Sequence, residues 1–355
     1  MPPRSTRTRS RPTPASRRDV PRCAVSRRDR SSVGVLVDPD SITAAAVLLD
    51  GNAVRTPVLD ASHWAGGPLG LKLENLQPTG AFKLRGATVA VARLDAATRS
   101  RGVVTHSSGN HAQALAWAAR AAGVAATIVI PHGAAAGKVA ATEALGARVL
   151  RADAADRGAT ADRVVAETGG ALVPPYDHPD VIAGQGTVGL EIAETVPDVE
   201  VVLVPISGGG LISGIAAALT HRGVRVVGVE PELAADAAEG LRNGVLTAWS
   251  PEQVARTAAD GLRVTQLGAL PWEHVRTMVH DIVTVAEDEI ADAARCLALR
   301  ARVVAEPSGA VSTAAWLHHR AELPAGRTVA VVSGGNVDPG WLAAVLTHPP
   351  TPRRA

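Results

Sequence analysis

One lysine is a candidate for covalent chemistry. The chain has three lysines, Lys72, Lys83 and Lys138, against thirty-three arginines. Arginine stays protonated in proteins, whereas lysine can lose its proton and act as a nucleophilic amine. Lys83 follows a Gln-Pro-Thr-Gly segment at 77–80 that predicts a loop, and Arg85 comes two residues later. The plainer alternative is a surface lysine at the start of a helix, and its neighbours favour the chemical interpretation.

A glycine-rich loop could bind a phosphate. Residues 201–219 read VVLVPISGGGLISGIAAAL, a pattern of strand, glycine loop and helix. Glycines let backbone N–H groups approach a phosphate, and the N-terminus of a helix favours its charge. Glu230 ends the next predicted strand about twenty residues further on, where a dinucleotide fold places an acid, so the segment alone could also bind NAD. The glycines at 208, 209, 210 and 214 do not match G-x-G-x-x-G, and an NAD site leaves Lys83 and Asn110 unexplained.

A run of small polar residues could bind an amino-acid carboxylate. The residues are Ser107, Ser108, Gly109, Asn110 and His111, and they precede an Ala-rich segment of helical period. Backbone N–H groups at a helix N-terminus attract a carboxylate. The alternative is a simple helix cap, which explains one of these residues but not the set.

Four motifs together resemble one enzyme family. They are GAFKLRGA around Lys83, SSGNHAQA at Ser107–Ala114, SGGGL at Ser207–Leu211 and SGGNVD at Ser333–Asp338. In this order they look like the fold-type II pyridoxal-phosphate enzymes, in the branch of the serine/threonine dehydratases and serine racemases. The resemblance extends from about residue 42 to about residue 346. It implies a tryptophan synthase beta-like α/β fold, in which two parallel-sheet domains hold the cofactor between them.

The resemblance gives each motif a role. Lys83 would carry pyridoxal phosphate as a Schiff base. The expected cofactor contacts are Phe82, Lys83, Asn110, Gly208, Gly209, Gly210, Leu211 and Ser333. The expected substrate contacts are Ser107, Ser108, Asn110 and His111, and Asn110 would also hydrogen-bond the phenolic oxygen of the cofactor ring. Ser333 would face the ring nitrogen, and because a neutral hydroxyl does not hold that nitrogen protonated, the ring would suit elimination of a β-hydroxyl.

The chain departs from the family pattern at two positions. The family usually begins the phosphate loop with a fourth glycine, and this chain has Ser207 there. The family commonly has serine at the position of Ala81. The first change could add a hydroxyl contact or alter the loop, and the second removes one polar contact.

A divalent-cation loop is implied by the same resemblance. Glu230 and Asp236 would supply carboxylate oxygens and Ala234 a backbone carbonyl, which suits Mg²⁺ or Ca²⁺. The spacing alone fits two solvated acids equally well. The segment TAADGLRV at Thr257–Val264 also resembles this branch and favours the metal.

The expected activity is a β-elimination that converts L-threonine or L-serine into a 2-oxo acid and ammonia, with Lys83 removing the α-proton. Serine racemase is the first alternative, with Ser108 as a second acid/base on the opposite face, and a β-hydroxyaspartate ammonia-lyase is another. Two alternatives of a different class are an NAD oxidoreductase and a cofactor-binding protein without turnover. An intact Lys83 and phosphate loop argue against the last of these.

Alternating strands and helices are predicted to position these motifs. Strands are expected at Thr56–Leu59, Pro68–Glu74, Gly102–His106, Ala126–Ile130, Arg148–Leu150, Val201–Ile206, Arg225–Val229, Asp281–Val285 and Thr328–Val332. Helices are expected at Ser41–Leu49, Ala112–Ala122, Gly137–Leu145, Thr160–Glu167, Leu211–Leu219 and Glu287–Val303. This alternation predicts parallel βαβ units, whose ligands bind at the carboxyl ends of the strands, where the motif loops fall.

The expected domains follow from the same resemblance. Residues 37–101 and 180–346 would form a large cofactor-binding domain, and residues 102–179 a small domain. The segment Pro174–Gly186 is expected to be an irregular loop that shapes the substrate pocket. Residues 1–36 contain ten arginines and two aspartates, and with residues 347–355 they are predicted to be tails outside the folded domains. For the first tail an inert extension is favoured over an organelle-targeting segment, and a nucleic-acid arm ranks last.

Composition bounds the remaining function classes. Only eight residues are aromatic, which argues against base stacking on rings, and no apolar run is long enough to span a bilayer. Two cysteines cannot build a disulfide framework, so a reducing, cytoplasmic location is expected. The expected partner is a small amino-acid substrate, with no nucleic acid and no membrane, and the family resemblance implies a homodimer.

Overall fold

The computed structural model describes residues 36–134 and 136–347. Helices α1–α15 span Pro39–Leu49, Ser62–Ala65, Lys83–Ala92, Ala96–Arg101, Asn110–Ala121, Ala136–Ala144, Arg157–Thr168, Pro179–Thr195, Gly210–Leu219, Asp236–Asn243, Pro251–Val254, Ala269–Met278, Glu287–Cys296, Pro307–His318 and Pro339–Thr347. Strands β1–β10 span Val58–Asp60, Leu69–Leu73, Val103–His106, Ala126–Pro131, Arg148–Ala152, Ala171–Leu172, Val201–Pro205, Arg225–Pro231, Asp281–Val285 and Thr328–Val332. Short 3₁₀ turns cover Glu74–Leu76, Thr220–Arg222 and Asp260–Leu262.

The strands form two sheets. The larger has the order β1-β2-β10-β7-β8-β9 and the smaller the order β5-β4-β3-β6. Every neighbouring pair is parallel except β1 with β2, which is antiparallel. The predicted α/β fold with parallel sheets is confirmed. The smaller sheet is built from residues inside the expected range 102–179, while the domain boundaries themselves stay a prediction.

Strand β7 shows why the larger sheet carries helices on both faces. Val202 and Val204 pack into the apolar cluster that includes α8 and α9, whereas Val201 and Leu203 pack into the cluster that includes α13 and α14. All four side chains are fully buried. Because successive residues of a strand point to opposite faces, a run of consecutive apolar residues marks a strand that is covered on both sides.

Two predicted segments differ from the structure. Pro174–Gly186 is not an irregular loop throughout, because α8 begins at Pro179. Two glycines of this segment, Gly184 and Gly186, pack closely against other helices. A Cβ on Gly184 would lie 2.7 Å from the Cα of Gly86, and a Cβ on Gly214 of α9 would lie 2.4 Å from the backbone nitrogen of Gly186. Glycine at these positions removes a steric barrier rather than loosening the chain.

The predicted helix Glu287–Val303 is wrong in its second half. The α-helix ends at Cys296 and continues as a π-helical turn over Leu297–Ala301. Arg302 then takes a left-handed conformation with φ +59°, and the N–H of Val303 closes the turn on the carbonyl of Leu297 at 2.9 Å. The predicted tails lie outside the described residues, apart from Leu36 and Thr347. None of the helices in the described ranges combines the length and the apolar character needed to cross a membrane.

Candidate active site

A cavity of about 640 Å³ brings the predicted motifs together. Its wall includes Phe82, Lys83, Ser107, Ser108, Asn110, His111, Gly208, Gly209, Gly210, Leu211 and Ser333. These are all the cofactor and substrate residues expected from the sequence. They lie in segments that follow strands of both sheets. Glu230, Ala234 and Asp236 are not part of this wall.

Lys83 begins helix α3 and extends its amine into the cavity region. Nζ donates a hydrogen bond of 2.5 Å to the carbonyl oxygen of Pro175. The amine also lies 5.1 Å from the ring centre of Phe82 and 5.9 Å from that of Tyr176. Burial lowers the pKa of Lys83 to about 8. A substantial fraction of this amine is therefore neutral, and nucleophilic, at a mildly alkaline pH.

The glycine loop between β7 and α9 accepts no side chain. A Cβ on Gly208 would lie 2.3 Å from the ring of Tyr176, and one on Gly209 would lie 2.6 Å from the side chain of Leu267. Gly209 also has φ +90°, a conformation that favours glycine. The loop leads directly into the N-terminus of α9, where backbone N–H groups and the helix dipole suit a phosphate.

Ser207, which stands where the family usually has glycine, makes a hydrogen bond through its side chain. Its Oγ accepts a hydrogen bond of 3.3 Å from the backbone N–H of Val264. The hydroxyl therefore connects the phosphate loop to the segment Thr257–Val264, whose residues 260–264 also line the cavity. Of the two possibilities left open by the sequence, an added hydroxyl contact is the one observed.

The loop from Ser107 to Asn110 joins β3 to α5. Ser107 Oγ accepts from the N–H of Gly109 at 3.3 Å, whereas the hydroxyl of Ser108 makes no hydrogen bond to any described residue. Burial, with a smaller contribution from the Lys83 charge, lowers the pKa of His111 to about 3. The neutral imidazole therefore donates from Nε2 to the carbonyl of Val173 at 2.9 Å, a bond internal to the protein.

The Ser333 loop lies directly beside the lysine segment. Ser333 follows β10, is 4% exposed, and places its Oγ 3.4 Å from the carbonyl oxygen of Ser308. The N–H of Phe82 donates to the carbonyl of Ser333 at 3.0 Å. Ala81 and Gly334 form an isolated bridge next to it. The residue before Lys83 and the expected ring-nitrogen contact are thus connected through the backbone.

Arg157 and Glu306 lie in the cavity wall but were not singled out from the sequence, and Tyr176 lies there within the segment Pro174–Gly186 that was expected to shape the substrate pocket. Tyr176, the only tyrosine of the chain, packs against the glycine loop. Arg157 is one of thirty-three arginines, and Glu306 is an acid just before a helix start, so neither belongs to a pattern that marks function. Only the folded chain shows that they share a wall with Lys83.

The expected metal residues form a separate buried group. Glu230 lies in β8 and Asp236 begins α10, and they are 0% and 1% exposed. Glu230 accepts from the N–H groups of Ala237 and Ala238, while Asp236 Oδ2 has no hydrogen-bond partner among the described residues. Burial and the Asp236 charge raise the pKa of Glu230 well above its usual range, and burial raises that of Asp236 to about 7.

Comparison with known proteins relates the whole described fold to one family. The family described as "Pyridoxal-phosphate dependent enzyme" matches residues 34–334. An L-threonine ammonia-lyase of Thermotoga maritima is 44% identical over 80% of this chain and 71% of its own length. An L-threo-3-hydroxyaspartate ammonia-lyase of Saccharomyces cerevisiae is 42% identical over 82% and 91%. The structure of maize serine racemase superimposes with a TM-score of 0.83 at 40% identity, over 87% of this chain and 97% of that one.

The family match extends over most of the described chain and includes Lys83, the Ser107–Asn110 loop and the glycine loop. The sequence identities exceed 40% over most of both sequences for the two ammonia-lyases. A lysine amine, a side-chain-free phosphate loop and a hydroxyl-rich helix N-terminus meet in the cavity, as such an enzyme requires. The chain belongs to the pyridoxal-phosphate dependent enzymes.

Proposed function

We propose that this enzyme eliminates the β-hydroxyl of L-threonine or L-serine and releases a 2-oxo acid and ammonia. The observation that carries the proposal is the single cavity that joins the Lys83 amine to the Gly208–Gly210 loop and the Ser107–Asn110 loop. The similarity to the Thermotoga maritima L-threonine ammonia-lyase supports the same reaction.

Pyridoxal phosphate, when bound, supplies an electron sink for the charge that develops at the substrate α-carbon. The Gly208–Gly210 loop and the α9 N-terminus would hold its phosphate, with Leu211 and Phe82 as apolar contacts and Asn110 at its phenolic oxygen. The Ser107–His111 segment would hold the substrate carboxylate. Lys83 would be linked to the cofactor at rest and, once free, would take the α-proton as a general base.

Ser333 favours elimination over a long-lived carbanion. Its nearest polar partner is the Ser308 carbonyl oxygen at 3.4 Å, and no acidic group binds it within the described residues. A hydroxyl in this position does not hold the ring nitrogen protonated. Charge that leaves with the β-hydroxyl is then easier to accommodate than charge that stays on the ring.

Racemisation of serine is a second candidate, favoured by Ser108. This hydroxyl lies in the same cavity wall as Lys83 and has no hydrogen bond to any described residue, so it is available for proton transfer. Two acid/base groups on opposite faces of the α-carbon would exchange its configuration. The similarity to maize serine racemase supports this candidate.

Elimination from a β-hydroxyaspartate is a third candidate, favoured by Arg157. Arg157 lines the cavity, and no ion pair joins it to another residue that the structure describes. A guanidinium can bind a second carboxylate with two parallel hydrogen bonds. The similarity to the Saccharomyces cerevisiae L-threo-3-hydroxyaspartate ammonia-lyase supports it.

A chiral chromatographic time course separates the three candidates. The purified enzyme is given L-serine, L-threonine or L-threo-3-hydroxyaspartate, and both the 2-oxo acid and the D-amino acid are measured. Oxo acid from serine or threonine with little D-isomer is the expected result. Abundant D-serine would instead show that the enzyme is a racemase. If the enzyme prefers hydroxyaspartate and Arg157→Gln loses that preference, the third activity is established. Absence of all products would refute the proposed reaction.

We also propose a divalent cation at Glu230 and Asp236. Two buried carboxylates with raised pKa values and one oxygen without a partner fit a missing counter-ion. Mg²⁺ or Ca²⁺ accepts such oxygens, with the Ala234 carbonyl as a third ligand. No group of three or more His, Cys, Asp or Glu side chains in the described ranges is arranged to hold a metal ion, so backbone carbonyls and water would have to complete the shell.

A homodimer in the cytoplasm, with residues 102–179 as a separate small domain, completes the proposal. Light scattering on the eluting protein tests the oligomeric state. Removal of residues 1–32 is expected to leave turnover unchanged.

A further inference from the structure

A relay of polar side chains holds the amide of Asn110 at both ends. Asn110 Nδ2 donates a hydrogen bond of 2.6 Å to Glu306 Oε1, and Asn110 Oδ1 accepts one of 2.9 Å from Asn336 Nδ2. Asn336 Nδ2 also donates to the carbonyl of Thr79 at 2.8 Å. The orientation of the Asn110 amide is therefore fixed, and one N–H of its Nδ2 remains for a partner in the cavity.

Two glycines make room for this relay. A Cβ on Gly334 would lie 2.2 Å from Glu306 Oε1, and a Cβ on Gly80 would lie 2.3 Å from Asn336 Oδ1. Gly80 has φ +73° as well. The lysine segment and the Ser333 segment thus each contain a glycine where a relay side chain needs the space. The relay connects two of the four sequence motifs, through Asn110 and Asn336, to Glu306, which lies outside all of them.

No cation in the part of the chain that the structure describes pairs with the Glu306 carboxyl group. It is 3% exposed, precedes the first residue of α14, and its N–H donates to the carbonyl of Gly334 at 3.1 Å. The charged groups that act on it are Asp260, from the 3₁₀ turn at 260–262, and Lys138, from α6. Those two groups are ion-paired with each other, so neither acts on Glu306 as a full, isolated charge.

The protonation of Glu306 changes near physiological pH. Burial and the Asp260 charge raise the pKa of Glu306 to about 8, against smaller opposing contributions from the Asn110 hydrogen bond and Lys138. Below that pH the carboxyl is neutral. Above it a negative charge appears directly behind the Asn110 amide, where it polarises the amide and repels any anionic oxygen on the far side.

We propose that Glu306 is a positioning residue that acts through Asn110, and that its charge state sets how tightly the site holds the cofactor. The inference rests on the proposed contact between Asn110 and the phenolic oxygen of the cofactor. A neutral Glu306 leaves Asn110 a good donor to that oxygen. An ionised Glu306 weakens the contact, because the amide then lies between two negative groups.

Cofactor binding tests this without any turnover. The dissociation constant of pyridoxal phosphate is measured by absorbance for cofactor-free wild type and Glu306→Gln, from about pH 6.5 to 9.5. The ratio of the two constants cancels the titration of Lys83, which both proteins share. We expect a ratio near one at low pH. As pH rises through about 8, binding by the wild type should become weaker than binding by the variant by about tenfold, equivalent to one charge-dependent hydrogen bond.

Two further variants separate this role from a merely structural one. Asp260→Asn removes the charge that raises the pKa of Glu306 and frees Lys138, so the step should move to lower pH. Glu289→Gln neutralises a buried carboxylate that contacts the far end of α14 through His319, and it should leave the pH dependence unchanged. If Glu306→Gln fails to fold, the Asp260→Asn shift still tests the proposal.

A ratio that does not change with pH would overturn the proposal, as would an unshifted step in Asp260→Asn. Either result is independent of the dehydratase assignment, because binding is measured without a substrate. An enzyme that produced no oxo acid but showed the step would retain Glu306 in this role and lose only the proposed reaction.

Discussion

Lys83 differs from the other two lysines in what surrounds its amine. Lys72 pairs with Glu191 at 2.5 Å and Lys138 pairs with Asp260, whereas no carboxylate is paired with Lys83 in the described ranges. Its hydrogen-bond partner is the neutral carbonyl of Pro175. A carboxylate would stabilise the protonated amine, so the surroundings of Lys83 leave burial free to lower its pKa.

Replacing Lys83 should remove both the linked cofactor and the reaction. Lys83→Ala is expected to lose the visible absorption band of the lysine-linked cofactor and all measurable turnover, because the other lysine of the cavity wall, Lys138, is ion-paired with Asp260. Lys138→Arg is the matched control and should keep the band. Retained turnover in Lys83→Ala would contradict the assignment.

The pH dependence of cofactor uptake follows from the same amine. Below about pH 8 most Lys83 amines carry a proton and cannot attack the cofactor aldehyde. The rate at which cofactor-free protein develops the visible band should therefore rise with pH and level off above about 8. A rate that still rose steeply at pH 10 would mean an amine with an ordinary lysine pKa.

The sequence predicted which motif residues share the cavity wall with Lys83, and it missed wall residues that belong to no motif. The small number of lysines and the run of glycines are visible in the sequence itself. Lys83 and the Gly208–Gly210 loop could therefore be predicted from the sequence alone. Glu306 and Arg157 lie in the cavity wall only because distant segments meet there. Glu306 and its hydrogen-bond partner Asn110 are 196 positions apart, and no local sequence pattern records such a distance.

Helix α3, which begins with Lys83, is anchored through Arg85 to a buried network of charged side chains. Arg85 makes two hydrogen bonds of 2.8 Å to Glu74 and further bonds of 2.6 and 2.9 Å to Glu191 in α8. Lys72 binds Glu191 from β2 and donates to the carbonyl of Thr56 at 2.7 Å. Arg85, Glu74 and Lys72 are almost fully buried, so each charge depends on its partners.

Breaking this network should destabilise the fold far more than breaking a surface pair. Arg85→Met leaves Glu74 buried without its cation, and we expect the free energy of unfolding to fall by about 3–5 kcal/mol. The control is Arg55→Met, whose pair with Glu194 is exposed at 59% and 56% and should contribute less than about 1 kcal/mol. Urea unfolding measures both.

A double variant identifies the cause of the loss. Glu74→Gln combined with Arg85→Met removes the unpaired charge and should recover part of the stability. Equal losses in Arg85→Met and Arg55→Met would mean that the network does not anchor α3.

Two strands that are apolar runs between turn residues were predicted with the right bounds. Helix α8, whose glycines pack against neighbouring helices, was not predicted correctly. The strands at 281–285 and 328–332 have the predicted bounds, because both are apolar runs between turn residues. The first part of helix α8 was predicted as an irregular loop within Pro174–Gly186, and the helix contains glycines at 184, 186 and 189. A Cβ on any of these glycines would lie less than 3.0 Å from a backbone or side-chain atom of a neighbouring helix.

At the scale of the whole molecule, the candidate cation group lies next to the strand that leads into the glycine loop. Strand β8 follows α9, ends in Glu230 and Pro231, and is the neighbour of β7, which precedes that loop. Because β7 and β8 are parallel neighbours, a charge imbalance at the end of β8 acts on the edge of the sheet that carries the site. We therefore expect a bound cation to stabilise the larger sheet, in which β7 and β8 are neighbours.

The cation is expected to raise the melting temperature of the enzyme. A ligand that binds only the folded state stabilises it by about 2.7 kcal/mol at one hundred times its dissociation constant, so Mg²⁺ or Ca²⁺ added to chelator-treated protein should shift the transition upward by several degrees. Asp236→Asn removes the carboxylate oxygen that has no partner and should abolish the shift. Asp198→Asn, at a surface pair with Arg327, is the control and should keep it. An equal shift in wild type and Asp236→Asn would place the bound cation elsewhere, because only a ligand that uses Asp236 loses its effect with that carboxylate.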